Sequence, residues 1–112
     1  MRFYEKYPNK KIVKRILKKN LSYKVIDIMM NAESSTLDWI IGNYITWCAS
    51  DMRKECGCAI DSEGYKLFKV AIIAAITRLK IERDHKMYHT IDEKCNIIVS
   101  FIMKTSKSFL SK

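Results

Sequence analysis

Four side chains of this 112-residue chain have the types that bind zinc. Cys56 and Cys58 are separated by one glycine, and His85 and His89 lie four residues apart. Thiolate and imidazole groups are the ligands that tetrahedral zinc prefers, but the paired cysteines of known sites are usually separated by two to four residues. Gly57, between the cysteines, also has the simpler explanation of a helix stop. A zinc site and four unrelated side chains therefore both stay open, and we predict no cofactor.

A second candidate site is the segment Arg83–His89, with the sequence RDHKMYH. It resembles the Arg-x(4–6)-His motif of HEPN domains, which are all-helical modules of about this length and in many cases ribonucleases. The resemblance implies that Arg83 would stabilise charge developing on a phosphodiester and that His89 would transfer the proton. It extends over seven residues, and Ile91 stands where many members of the family have a tyrosine.

Other signatures of catalysis are missing from the sequence. The chain has three glycines, and none is followed by the Lys-Ser or Lys-Thr pair of a phosphate-binding loop. It has no Gly-x-Ser-x-Gly elbow and no pair of carboxylates within an apolar face. The sequence therefore favours a non-enzymatic interaction protein, such as an inhibitor, an adaptor or an immunity-type protein. A nucleic-acid-binding protein or a HEPN-like ribonuclease is the alternative.

The positive charge of the chain is concentrated near its start. The net charge is +9, and residues 1–24 contribute +8 of it, with nine basic side chains and one acidic side chain. Residues 25–112 carry 12 basic and 11 acidic side chains. Such an asymmetry indicates contact with an anionic partner. We expect one helical domain over residues 1–112 whose first 24 residues are a strongly basic helical segment.

The spacing within this segment predicts an amphipathic helix from a cap at Asn9 to about Asn20. One half of the helix is aliphatic, and the other half is basic: Lys10, Lys11, Lys14, Arg15, Lys18 and Lys19. Three interpretations are open: a helix that covers the core with a solvated basic face, a face that binds nucleic acid or an acidic protein, and a membrane-surface helix. The lack of Trp and Phe on the apolar side disfavours the membrane.

Two tryptophans lie on a predicted helix from Thr36 to about Cys56. Trp39 points away from the apolar face, and Trp47 lies on its flank. An exposed Trp is either covered by another part of the chain or an anchor for a partner. We predict that both tryptophans and the six basic residues bind a macromolecular partner. A protein is the first expectation, nucleic acid is the second, and a homodimer is a further alternative.

The segment Tyr65–Lys86 contains the longest apolar run, from Val70 to Ile76. On a helix these residues point in every direction, which is typical of a helix enclosed by other helices. The flanking lysines and arginines make the run too short to span a membrane. We therefore predict an all-α fold: a single compact bundle of about five helices around a buried central helix.

Local patterns predict where the remaining helices begin. Ser22 would cap a second helix, Ser35–Asp38 has the spacing of a capping box, Asp61 or Ser62 would cap the central helix, and Thr90–Glu93 forms the clearest capping box. Cys48 and Cys95 fall on apolar faces, where a free thiol behaves as a small apolar group. Because the start of the chain has no secretory pattern, we expect reduced cysteines and an intracellular, cytoplasmic location.

Overall fold

The structure is a computed structural model that describes residues 10–105 and 110–111. These residues contain five α-helices: α1 (Lys10–Lys19), α2 (Tyr23–Asn31), α3 (Ser34–Cys56), α4 (Ser62–Asp84) and α5 (Ile91–Thr105). The prediction of an all-α bundle of about five helices is confirmed. The predicted cap at Asn9 lies outside the described residues.

A short pair of strands joins the end of the chain to the α3–α4 connection. The strand β1 (Ala59–Ile60) pairs in antiparallel fashion with β2 (Leu110–Ser111), so that Ala59 lies opposite Ser111. The sequence could not predict these strands, because two residues are too few to show the period of two that marks a strand.

Three of the predicted helix starts are formed. The side chains of Ser22 and Asp61 each accept a hydrogen bond from the backbone N–H three residues later, at 3.3 and 2.6 Å. At the start of α5, the backbone N–H of Thr90 donates to Glu93 at 3.0 Å, and the backbone N–H of Glu93 donates to the Thr90 hydroxyl at 3.1 Å. Each cap satisfies backbone groups that a helix end leaves unpaired and stabilises it by about 1 kcal/mol.

The predicted capping box at Ser35–Asp38 is wrong, whereas the predicted end of the same helix is confirmed. The helix α3 begins at Ser34, so the box residues lie inside its first turn, and the cap residue makes no side-chain hydrogen bond. Asp38 instead forms an ion pair with Lys69 of α4 at 2.5 Å. At the other end, Gly57 adopts a left-handed conformation with φ +62°, which favours glycine.

The helix α1 packs on the bundle and does not project from it. Val13, Ile16 and Leu17 are each at most 1% exposed. The buried Tyr44 hydroxyl of α3 donates a hydrogen bond to the Leu17 carbonyl at 2.7 Å. That carbonyl lies in the last turn of α1, where carbonyls lack partners within the helix. Burial raises the pKa of Tyr44 well above its ordinary value, so the hydroxyl stays protonated.

The prediction that Tyr65–Lys86 is buried on all sides is wrong, although the segment is helical as far as Asp84 and packs against three other helices. The helix α4 packs against α2, α3 and α5, and its buried side chains recur every three or four residues. The opposite side faces solvent: Val70 is 62% exposed, Ile73 40% and Ile81 53%. The physical reason is that neighbouring helices cover only one side of α4, so its apolar run is longer than its buried face.

Candidate partner-binding face

The six basic side chains of α1 lie together on the solvent side of that helix, and we call them the basic face. They are Lys10, Lys11, Lys14, Arg15, Lys18 and Lys19, all of them exposed. Five of the six, all except Lys10, line one shallow open depression. The buried positions of α1 occupy the other half of the helix, so the predicted amphipathic division is observed.

Acidic side chains of α3 form ion pairs with two residues at one edge of the basic face. The Arg15 guanidinium forms an ion pair with Glu55, and the Lys19 ammonium lies 3.5 Å from the Asp51 carboxylate. The Asn20 amide also donates to Asp51 at 3.0 Å. This hydrogen bond and, to a smaller extent, the charge of Lys19 lower the pKa of Asp51, so that carboxylate stays ionised at neutral pH.

Of the four other lysines of the basic face, Lys11, Lys14 and Lys18 form a row along α1, which we call the lysine row. Within the described residues 10–105, none of the three forms an ion pair with a carboxylate. Their spacing of three and four residues places them side by side along α1. The lysine row is therefore a positive surface that the described part of the protein does not neutralise.

The two tryptophans lie at different places on α3. Trp47 is 46% exposed and lies one helical turn before Asp51, the residue that contacts Lys19. Trp47 therefore lies one helical turn from a carboxylate that contacts the basic face. Trp39 is 70% exposed, and it lies 12 residues before Asp51, or about 18 Å along the helix axis. The surface predicted from sequence thus separates into two parts. Trp39 belongs to the part near α4, because it follows Asp38, which contacts that helix.

The exposed side of α4 is a surface that the apolar run in the sequence predicts to be part of the core. We call it the outer stripe, and it consists of Val70, Ile73, Ala74, Thr77 and Ile81. A signal was present in the sequence, because Lys66, Thr77, Lys80 and Asp84 continue the same side of the helix with polar residues. The unbroken apolar run concealed that periodicity.

The structure does not bring the four zinc-ligand candidates together. Cys56 and Cys58 precede α4 and His85 and His89 follow it, so that 23 helical residues, or about 33 Å, separate the two pairs. Among the described residues, no group of three or more His, Cys, Asp or Glu side chains is arranged to bind a metal ion. The zinc interpretation is therefore wrong for this part of the chain.

The four thiols are free in the structure, and three have a pKa moved away from the reactive range. Burial raises the pKa of Cys48 to about 12, and it also raises the pKa values of Cys56 and Cys95. The Cys58 thiol is buried and donates to the Cys56 carbonyl at 3.2 Å. A nucleophilic cysteine needs a lowered pKa, and these surroundings act in the opposite direction.

Arg83 and His89 lie at the same end of α4 but contact different neighbours. The Arg83 guanidinium donates to the Asn31 side chain at 3.4 Å. The His89 ring lies between two carboxylates, with Nε2 against Glu82 and Nδ1 3.6 Å from Glu93. Both ring nitrogens thus face carboxylates, which suits a ring that links α4 to the start of α5. Within the described residues, no hydrogen bond or ion pair joins Arg83 to His89.

Comparisons of the chain with protein-family models, with curated proteins and with solved structures found no match. Among the described residues, no helix combines the length and the apolar character needed to cross a membrane. Six of the eight predicted partner-binding residues thus lie together on the basic face, Trp47 lies one helical turn from Asp51, and Trp39 lies apart from them.

Proposed function

We propose that this protein is a small non-enzymatic interaction protein whose basic face binds an acidic surface of a partner protein. The observation that supports this most is the lysine row. Arg15 and Lys19 are already neutralised by Glu55 and Asp51, whereas Lys11, Lys14 and Lys18 have no such carboxylate among the described residues. Charges that the fold itself does not use are available to a partner.

The lysine row has a local energetic cost that supports the same proposal. Lysines three and four residues apart on a helix repel one another by about 0.2–0.5 kcal/mol per pair. The helix α1 has no acidic residue in its first turn to relieve this repulsion. Alternating charges would make α1 more stable than a row of lysines does. A contact with another molecule therefore explains the row better than folding does.

An acidic protein fits this surface better than nucleic acid does. Tightly bound nucleic acids typically make 6–10 phosphate contacts, and the lysine row offers three unneutralised cations. Trp47, one helical turn from Asp51, is the type of residue that anchors protein interfaces by filling an apolar pocket. The partner surface would combine acidic side chains with such a pocket.

The test is photo-crosslinking in the native host, with a benzoyl-phenylalanine in place of Ser50, an exposed residue one helical turn after Trp47. The informative variant carries Lys11→Glu, Lys14→Glu and Lys18→Glu together. The matched control carries Lys86→Glu, Lys94→Glu and Lys104→Glu, which changes the net charge equally on other parts of the surface. We expect one protein adduct that forms with the parent and the control and is lost with the lysine-row variant.

Two results would contradict the proposal. An adduct that survives reversal of the lysine row would remove the basic face from the interaction. Retention of a fluorescent single-stranded RNA with a log–log salt slope of about −2, lost in the lysine-row variant, would replace the partner protein with nucleic acid.

A further inference from the structure

The outer stripe of α4 has the spacing of a helix-pairing seam. Val70, Ile73 and Thr77 follow one another at intervals of three and four residues, with Ala74 and Ile81 beside them. This is the spacing by which one helix packs along another. The Thr77 hydroxyl already donates to the Ile73 carbonyl at 2.8 Å, so it needs no outside partner. The stripe is therefore an apolar seam without a covering element among the described residues.

The two ends of the seam carry opposite charges. Lys66 continues the stripe toward the start of α4, and it forms no ion pair within residues 10–105. Asp84 continues the stripe toward the end of α4, where its side chain is 74% exposed and its nearest cation, Arg83, lies 4.0 Å away. Both charges are thus directed at solvent from the same side of one helix.

We propose that the outer stripe binds the outer stripe of a second copy of this chain, with the two α4 helices antiparallel. A two-fold axis near residue 75 places Lys66 of each copy opposite Asp84 of the other. It also places Val70 opposite the Lys80–Ile81 step and Ile73 opposite Thr77. A parallel pair would instead set Lys66 against Lys66 and Asp84 against Asp84, so the charges select the antiparallel arrangement.

The side chains at the centre of the seam favour a close approach. Ala74 and Thr77 are small, and they leave space into which the Ile73 side chains of both copies can pack. The apolar part of the seam covers about three helical turns, so we expect a weak dimer with a dissociation constant in the micromolar range. This dimer is independent of the proposed function, because the basic face lies on α1.

The first test is sedimentation equilibrium of the full chain from about 5 to 500 μM, a range that brackets micromolar dissociation constants. We expect the average mass to rise from 13.2 kDa toward twice that value as concentration increases. With Ile73→Glu, which places a carboxylate in the seam, the mass should stay at 13.2 kDa at all concentrations. Below the dissociation constant of the parent, where both proteins are monomers, the variant should still unfold cooperatively at a similar Tm, because the Ile73 side chain is partly exposed.

The second test addresses the orientation. Lys66→Glu or Asp84→Lys alone makes both symmetry-related contacts repulsive, and we expect each to weaken the dimer about tenfold. The two changes combined should restore the parent's dissociation constant. The control Lys94→Glu makes the same change of charge as Lys66→Glu but lies on α5, outside the seam. It should have no effect on the dimer.

Three outcomes would overturn the proposal. The first is a mass of 13.2 kDa for the parent across the whole range. The second is a dimer that survives Ile73→Glu. The third is a failure of the combined Lys66→Glu and Asp84→Lys variant to recover the association that each change weakens.

Discussion

Every charged residue three or four positions away from Lys14 on α1 is a lysine. Lys10 and Lys11 precede it by four and three residues, and Lys18 follows it by four. Each like-charge pair costs about 0.2–0.5 kcal/mol, and an opposite-charge pair contributes a similar amount in the favourable direction. Replacing Lys14 by Glu reverses all three pairs, so we expect the free energy of unfolding to rise by about 1 kcal/mol after screening by solvent and salt.

Thermal or urea unfolding at low ionic strength measures this effect. A gain of about 1 kcal/mol corresponds to a rise in Tm of about 4 °C for a chain of this size, and it should shrink in 0.5 M salt. Lys94→Glu is the matched control, because no charged residue lies three or four positions away from Lys94 on α5. If Lys14→Glu lowers the stability, or if the control gains as much, the lysine row is not an electrostatic cost to the fold.

Three other predictions concern the interior and its hydrogen bonds. Tyr44→Phe leaves the buried Leu17 carbonyl without its donor, and it should lower the free energy of unfolding by about 1–2 kcal/mol in urea titrations; an unchanged midpoint would contradict this role. The Arg78 guanidinium and then His89 lower the pKa of Glu82 below its ordinary value of 4.5, so its contribution is present above pH 4.5 and lost as the pH falls through the folded-state pKa. Glu82→Gln should therefore show a shallower decline of Tm between pH 7 and 3 than the parent, and equal slopes would refute the assignment. Because burial raises the pKa of Cys48 to about 12, a thiol reagent at pH 8 should modify the partly exposed Cys56 long before Cys48, as mass spectrometry of labelled peptides would show.

Features set by neighbours in the sequence were predictable. The basic face follows from the three-to-four spacing along α1, and the capping box of α5 follows from Thr90 and Glu93 being three residues apart. The end of α3 follows from Gly57, because glycine adopts the left-handed conformation without strain. In each case the interaction joins residues within one helical turn, so no knowledge of the tertiary structure is needed.

Features that depend on which helices pack against one another were not predictable from the sequence. Arg15 and Glu55 are 40 residues apart, and the sequence does not indicate that their helices are neighbours. The sequence predicts that the outer stripe is buried, because residue type shows that a side chain can be buried but does not show whether another helix covers it. The separation of the zinc-ligand candidates, however, is predictable from the sequence, since the helix predicted between the cysteines and the histidines is about 30 Å long.

The attachment of α1 to α3 through Tyr44 has a consequence for how quickly the proposed partner would bind. A helix whose last turn is tied to the core presents its ammonium groups in one fixed geometry, so complex formation requires no ordering of the backbone. The encounter rate would then be governed by long-range attraction toward the lysine row and would fall steeply with ionic strength, while the dissociation rate would depend on short-range contacts such as that of Trp47. Stopped-flow measurements with the isolated partner would separate these two dependences.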